Sequence, residues 1–150
     1  MSDPAAPRIV IVTGGSAGLG RATAEALAAR GCHIVLSSRT PHDAAREIAA
    51  RYGVAVRAVA GSIADPAVVP ALIAAAEAEG GLDALFLNHG GAPVRPVLAL
   101  TEAEWQSAFE MMVLGPLRIL RAAVPLMRAR GGGRVAAVSS FTVRRPTPGN

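Results

Sequence analysis

Residues 13–20, which read TGGSAGLG, combine residue types and a spacing that can bind phosphate. They stand between a short apolar run, RIVIVT, and an Ala-rich stretch typical of a helix. Gly14 permits a tight turn, Gly18 lets the backbone approach a bound group, and Gly20 allows close packing of the helix. The free N–H groups and the dipole at a helix N-terminus attract anions. The sequence therefore predicts a phosphate-binding loop, with a glycine turn that merely reverses the chain as the alternative.

The elements that must hold this loop alternate along the chain. Apolar runs predict five strands, at residues 8–13, 33–38, 54–60, 82–87 and 134–139. Helices are predicted between them, at residues 21–30, 41–52, 65–79 and 101–130. Short apolar strands separated by helices indicate an α/β protein with a Rossmann-like, doubly wound parallel sheet and helices on both faces. We expect the strand order 3-2-1-4-5 and a ligand at the carboxyl ends of the strands.

The fourth predicted helix is the longest and carries the clearest start signal. Thr101 and Glu104 have the spacing of a capping box, and Pro116 and Pro125 should bend the helix that follows. Apolar residues recur along it at helical spacing, so this stripe faces either the core or a partner. The stripe comprises Phe109, Met112, Val113, Leu117, Leu120, Val124 and Met127.

Composition limits the classes of protein to be considered. The 150 residues suit one domain with a flexible start at residues 1–7, and 51% hydrophobic against 17% charged residues indicates a globular core. The start lacks the features of a signal peptide, and no apolar stretch is long enough for a membrane span. The single cysteine, Cys32, has no disulfide partner and follows a helix end, so we expect a buried structural thiol and a cytoplasmic protein.

The positive charge does not point to nucleic acid. The formal net charge is +4, and all fifteen basic residues are arginines. Arg118, Arg121 and Arg128 alternate with apolar residues as on a solvated helix face, and no aromatic residues are interleaved to stack on bases. The three histidines are scattered, without cysteines or carboxylates at metal-ligand spacing. We therefore expect neither a nucleic-acid partner, nor a membrane partner, nor a metal.

Four motifs together resemble the short-chain dehydrogenase/reductase family over essentially the whole chain. They are the TGxxxGxG loop, Asn88-His89-Gly90 where the family has NNAG, the Trp105 helix with Gly115-Pro116, and a strand ending in Ser139-Ser140. The resemblance implies a nicotinamide dinucleotide, hydride transfer at an unidentified carbonyl or alcohol carbon, and acid/base work by Ser, Tyr, Lys and Asn.

The resemblance also assigns cofactor-binding positions in this sequence. Arg39 follows the second strand where an Asp would select NAD, and an arginine suits a 2′-phosphate, so NADP(H) is preferred over NAD(H). A solvated surface arginine is the alternative for Arg39. His89 is interpreted as a cofactor contact and not as a metal ligand. The implied cofactor set is Gly14, Ser16, Ala17, Gly18, Leu19 and Gly20 for the pyrophosphate, Arg39, Ser62 and Ile63 for the adenosine end, and Asn88, His89 and Gly90 beside the ribose.

The catalytic positions depart from the family pattern. Ser140 matches the serine that polarises the reacting carbonyl, or it satisfies local backbone groups. Met112 stands where the family has its helix Asn, and the family's YxxxK would fall beyond Asn150, so the sequence predicts a C-terminally truncated domain. The only tyrosine is Tyr52, in a different region. Met112 and the tail at residues 142–150 resemble a divergent bacterial group.

Two functional hypotheses remain open at this point. The first is an NADP-dependent oxidoreductase, active in a longer form or with a replacement acid. The second is a catalytically inactive nucleotide-binding or interaction module derived from the same family. Loss of further strands would expose the fifth strand as a sheet edge, and the apolar stripe could pair with another subunit, so a homo-oligomer is expected.

Overall fold

Strands and helices alternate along the chain in the computed structural model, which describes residues 7–91 and 93–145. The strands are β1 (Ile9–Thr13), β2 (His33–Ser38), β3 (Val56–Ala60), β4 (Ala84–Leu87) and β5 (Arg134–Ala137). The helices are α1 (Gly18–Ala28), α2 (His42–Tyr52), α3 (Val68–Ala78), α4 (Glu102–Phe109) and α5 (Gly115–Ala129). Most of the predicted flexible start, residues 1–6, and the end of the predicted tail, residues 146–150, lie outside the described residues.

The five strands form one parallel sheet in the order β3-β2-β1-β4-β5, which confirms the predicted topology. Strand β1 lies at the centre, with Ile11 level with Val35 of β2 and Leu85 of β4. The apolar runs of the sequence form these strands because both faces of the central strands are covered. All carboxyl ends therefore meet at one edge of the sheet, above β1.

Alternate residues of the strands enter two separate cores. On one face Val10 and Leu36 pack with Ala24 and Ile48 of α1 and α2. On the other face Val35 packs with residues of α3 and α5, including Leu72, Ile119 and Met127. Each buried leucine or isoleucine side chain contributes on the order of 2 kcal/mol of transfer free energy. The two cores hold the carboxyl edge of the sheet in a fixed arrangement.

Strand β5 is the least protected part of the sheet. All four of its residues are exposed, and Val135 exposes 46% of its surface. It ends at Ala137, two residues before the predicted end of the strand. A cleft of about 460 Å³ lies between α1 and the strands β4 and β5, lined by apolar side chains such as Leu27 and Phe86. One edge of the sheet is therefore open to solvent.

The helices differ from the prediction in three places. Helix α1 begins at Gly18, three residues early, because Gly20 packs against the loop that precedes it. Helix α3 begins at Val68, while Asp65 Oδ1 accepts a hydrogen bond from Ala67 N in the turn before it. The predicted long helix is divided into α4 and α5 by a π-helical segment, Glu110–Leu114. None of the helices in the described part of the chain combines the length and apolar composition needed to cross a membrane.

The capping box of the long helix is confirmed. Thr101 Oγ1 accepts a hydrogen bond from Glu104 N, and the Glu104 carboxylate accepts one from Thr101 N. Pro116 lies in the first turn of α5, where its missing N–H is tolerated. The buried face of α5 consists of Gly115, Ile119, Ala123 and Met127. Of the predicted apolar stripe only Met127 is buried, so most of that stripe faces solvent or lies at its margin.

Candidate functional site

The glycine loop folds tightly at the carboxyl end of β1. Gly14 has φ +61°, a conformation that favours glycine, and a Cβ there would lie 2.6 Å from Asn88 Nδ2. A Cβ on Gly20 would lie 2.2 Å from the carbonyl oxygen of Gly14. Side chains at these two positions would therefore collide with the loop and with the end of β4. The close approach explains why the sequence has glycine at both positions.

The N-terminus of α1 is open to an anion. Its N-cap is Ala17, which has no side-chain oxygen to accept from the first-turn amides, and no acidic residue stands in that turn. Arg21 lies on the side of the helix and donates hydrogen bonds to Glu25 and to Glu47. These hydrogen bonds, the one to Glu25 most, raise the pKa of its guanidinium. The available positive potential is therefore that of the amides themselves.

Thr13 and Asn88 join the ends of β1 and β4. Thr13 Oγ1 donates to the carbonyl oxygen of Asn88 at 2.8 Å and accepts from Asn88 N at 2.9 Å. Asn88 Nδ2 is 3.4 Å from the carbonyl oxygen of Gly14. The buried threonine hydroxyl is thus fully paired, and the segment after β4 is fixed beside the glycine loop.

A cavity of about 590 Å³ lies at the carboxyl ends of these strands. It opens where the chain leaves β1, β2, β3 and β4, which is the place expected for a ligand in a parallel sheet of this kind. Most of its residues are small or polar, apart from Ile63 and Met111, and none of them is Asp or Glu. They are Gly14, Ser16, Ala17, Ser37, Ser38, Arg39, Thr40, Gly61, Ser62, Ile63, Asn88, His89, Gly90, Gly91 and Met111.

The end of β2 supplies a cationic group to one wall of this cavity. Ser38 Oγ accepts a hydrogen bond from Thr40 N at 3.2 Å, which holds the turn after the strand. The side chain of Arg39, between them, is exposed and forms no ion pair with any residue in the described ranges. A guanidinium without a carboxylate partner beside a cavity can bind an anion.

The loop after β3 forms the neighbouring wall and is held by the long helix. Ser62 Oγ accepts from Ala64 N at 3.3 Å, and a Cβ on Gly115 would lie 2.3 Å from the carbonyl oxygen of Ile63. Arg118 adds a bridge from this loop to the π-helical segment, because its Nη1 donates to Glu110 Oε2 at 2.7 Å and lies 3.4 Å from the Ala64 carbonyl oxygen. Only a glycine at position 115, at the start of α5, allows the helix to lie this close to the Ile63 carbonyl oxygen.

His89 lies on the opposite wall. Its Nδ1 is 2.8 Å from the carbonyl oxygen of Gly90, and its side chain is accessible from the cavity. A Cβ on Gly90 would lie 3.5 Å from Met111 Sδ, so the methionine closes this side. Within the described residues no cluster of His, Cys, Asp or Glu could hold a metal ion.

Ser140 does not line this cavity. It is exposed beyond β5, where its Oγ accepts from Thr142 N at 3.2 Å and lies 2.8 Å from Thr142 Oγ1. The hydroxyl therefore caps the short 3-10 turn Phe141–Val143, which is the local role left open by the sequence. Because Ser140 is exposed, a second partner can also reach its hydroxyl. Met112 is 43% exposed on the π-helical segment.

The structure brings most of the predicted cofactor residues together. Gly18, Leu19 and Gly20 stand apart from the cavity wall, in the first turn of α1, with Leu19 exposed and Gly20 buried. The predicted set omitted Ser37, Ser38, Thr40, Gly61, Gly91 and Met111, all of which line the cavity. All except Met111 follow or end a predicted strand, so the rule that ligands lie at the carboxyl ends of strands could have found them.

Comparison with known proteins identifies the family. The sequence profile described as short chain dehydrogenase matches residues 8–150. The chain belongs to the short-chain dehydrogenase/reductase family. It is 34% identical to human dehydrogenase/reductase SDR family member 4 over 98% of this chain and 54% of that protein. It is 30% identical to galactitol 2-dehydrogenase of Agrobacterium fabrum over 92% of this chain and 54% of that protein.

The fold is also found in solved structures of this family. The crystal structure of L-sorbose reductase from Gluconobacter frateurii complexed with NADPH and L-sorbose superimposes with a TM-score of 0.90 and 35% identity. The match covers 95% of this chain and 56% of that one. The chain thus spans about half the length of the relatives that it matches. Membership of this family favours the oxidoreductase interpretation over the non-catalytic module.

Proposed function

We propose that this chain is the cofactor-binding half of an NADP(H)-dependent oxidoreductase that acts on a carbonyl or alcohol group. The observation that carries the proposal is the Arg39 guanidinium, which has no ion-pair partner among the described residues and lies at a cavity whose described lining includes no Asp or Glu. Selection of NAD requires an acceptor for the ribose hydroxyls at the end of β2, whereas an arginine there suits a 2′-phosphate. Support also comes from the L-sorbose reductase structure, which holds NADPH.

The residues around the cavity can be assigned to the parts of a dinucleotide. The free amides at the N-terminus of α1, beside the cavity wall at residues 14–17, would receive the pyrophosphate, since no side chain in the described part of the chain caps them. Ser38, Arg39 and Thr40 would hold the 2′-phosphate, and Ser62 with Ile63 would flank the adenine. Asn88, His89 and Gly90 would lie along the second ribose.

A nicotinamide bound in this way would supply or accept a hydride. The part of the chemistry assigned to this chain is polarisation of the substrate carbonyl by Ser140, whose hydroxyl donates a hydrogen bond to the carbonyl oxygen. The short turn that Ser140 caps holds its Oγ in place, because two contacts to Thr142 fix the side chain. The chain has no lysine, and its one tyrosine, Tyr52, lies in α2, so another group must donate the proton to the product alkoxide.

The proposal includes self-association through α4 and α5. Trp105, Phe109, Val113 and Leu117 form an outer face at helical spacing, and they expose between 38% and 52% of their surfaces. A row of large exposed apolar side chains on adjoining helices is typical of a contact between subunits. A second copy related by a two-fold axis would cover the row with the same residues.

The test is a calorimetric titration of the purified chain with NADPH and with NADH. We expect Arg39→Asp to weaken NADPH binding about tenfold to a hundredfold, since a charge-assisted contact is worth roughly 1.5–3 kcal/mol, and to weaken NADH binding far less.

The matched control for that titration is Arg121→Asp on α5. Arg121 is exposed, and it forms no ion pair within the described residues. The substitution makes the same change in net charge away from the cavity, so it should leave both affinities unchanged. Equal loss of NADPH and NADH affinity in Arg39→Asp would contradict the assignment of Arg39. Absence of binding to either dinucleotide would overturn the proposed function.

A further inference from the structure

Ser37 differs from the other residues of the cavity because its hydroxyl is both buried and unpaired. It lines the cavity but exposes 0% of its surface. Its Oγ has no hydrogen-bond partner among the residues that the structure describes. A buried hydroxyl without a partner destabilises a protein, because its hydrogen bonds to water have been lost. An atom of this kind in a folded protein requires an explanation.

The strand register places this hydroxyl on one side of the cavity. Ser37 is level with Thr13 of β1 and with Val59 of β3, and side chains at one level of a parallel sheet point to the same face. Thr13 satisfies its hydroxyl with the backbone of Asn88, on the β4 side. The hydroxyl of Ser37 lies one strand further away, next to β3 and to the Ser62 loop that follows it. It therefore belongs to the side that would receive the adenosine end of a dinucleotide.

We propose that Ser37 is a cofactor-binding residue that recognises the adenosine moiety. Its hydroxyl rotates about χ1 between staggered positions and forms a hydrogen bond to the base or its ribose. A serine hydroxyl has one donor and two acceptor lone pairs, so it can complement either kind of group. This inference rests on the proposed function, because the partner is part of the dinucleotide.

The proposal assigns two opposite effects to one hydroxyl. In the free protein the hydroxyl weakens the fold, because none of the described residues pairs with it. In the complex it strengthens binding, because no water must be displaced from it first. A hydroxyl with a purely structural role would not combine these two effects. Their combination therefore distinguishes a cofactor-binding role from a structural one.

The experiment compares Ser37→Ala with the wild-type chain. We expect Ser37→Ala to raise the melting temperature of the free protein by about 2–4 °C, since an unpaired polar atom is removed. We expect it to weaken binding of NADPH and of 2′,5′-ADP about fivefold to tenfold in calorimetric titrations, the effect of one neutral hydrogen bond. Binding of nicotinamide mononucleotide should not change, because that fragment lacks the adenosine.

Two further variants control this comparison. Ser37→Cys keeps the shape of the side chain, with a larger atom and a much weaker donor, so it should weaken NADPH binding as Ser37→Ala does. Thr13→Val removes a hydroxyl that is paired at 2.8 and 2.9 Å, so it should lower the melting temperature of the free protein.

The outcomes separate the two proposals. If the wild-type chain binds NADPH and Ser37→Ala binds it equally well, the inference about Ser37 is overturned and the proposed function stands. A lower melting temperature for free Ser37→Ala would also overturn the inference, because it would mean that the hydroxyl has a partner in the free protein. If the wild-type chain binds neither NADPH nor 2′,5′-ADP, the proposed function is overturned and the inference is overturned with it.

Discussion

The carboxyl edge of the sheet, where the strands end, and the amino edge, where the strands begin, differ in how completely their polar groups are paired. At the carboxyl edge, Arg39 has no ion pair with any described residue and Ser37 Oγ has no hydrogen bond. At the amino edge, Asp83 accepts from Ile9 N at 2.7 Å and from Arg130 Nε at 2.9 Å. The amino edge therefore joins strands and helices, whereas the carboxyl edge leaves groups free.

A second cluster at the amino edge has the same character. Glu79, at the end of α3, accepts from His33 of β2 at 2.8 Å and from Arg57 of β3 at 2.6 Å. The Arg57 hydrogen bond, and after it the one from His33, hold the pKa of Glu79 below its usual range despite its burial. The difference between the edges teaches that stability and binding are separated along the strands. Free polar groups at one end are tolerated because the other end is closed.

The strongest test of this comparison is at the carboxyl edge. Gly20→Ala should reduce NADPH binding more than a hundredfold or prevent folding, because its Cβ would lie 2.2 Å from the carbonyl oxygen of Gly14. Gly18→Ala is the comparison, since no atom of the described residues, apart from its chain neighbours and its own helix backbone, lies within 4 Å of its Cβ and only the φ of +53° is unfavourable. Calorimetric titration and thermal denaturation measure both variants. Equal effects would mean that backbone strain, and not the close approach, dictates the glycines.

The next effect in size is at the amino edge. Asp83→Ala should lower the free energy of unfolding by about 2 kcal/mol, because Ile9 N and the Arg130 guanidinium both lose an acceptor. Asp43→Ala removes a carboxylate that is 81% exposed and paired with Arg46, and should cost about 0.5 kcal/mol or less. Urea denaturation gives both values. The separation of the edges would be contradicted if Asp83→Ala also weakened NADPH binding once the folded fraction is accounted for.

The smallest effect depends on pH. Because the folded pKa of Glu79 lies below its unfolded value, its charge stabilises the fold above about pH 4.3, and this contribution disappears as the pH falls through the folded pKa. Glu79→Gln should therefore be about 1 kcal/mol less stable than the wild type at pH 7. The gap should close in thermal denaturation as the pH falls below about 4.3 and through the folded pKa of Glu79. If the difference in stability between Glu79→Gln and the wild type did not change with pH, the substitution would act through packing and not through loss of the Glu79 charge.

The sheet was predictable because its signals are local. Strand β2 has the predicted bounds, His33–Ser38, since a short apolar run between a helix-ending glycine and a polar turn has few alternatives. The capping box at Thr101 was equally visible, because four adjacent residues define it. The start of α1 was not, since Gly18 and Gly20 are poor helix formers and the close packing of Gly20 against Gly14 exists only in the folded structure.

The apolar stripe of the long helix shows why periodicity alone could not decide between a core face and a partner face. A π-helical segment takes more residues per turn than an α-helix, so it shifts the faces before and after it relative to each other. The pattern that begins at Phe109 therefore does not continue into the buried face of Ile119 and Ala123. In the site, the type of Ser37 was visible in the sequence, but whether its hydroxyl had a partner depends on three neighbouring strands.

The outer face of α4 carries the only tryptophan of the chain. Trp105 exposes 52% of its surface, so its indole fluorescence responds to the polarity around this helix. Pairing of two subunits across that face would shift the emission to shorter wavelength as protein concentration rises. The molecule thus contains its own optical reporter of self-association, at a distance in sequence from every residue assigned to the cofactor.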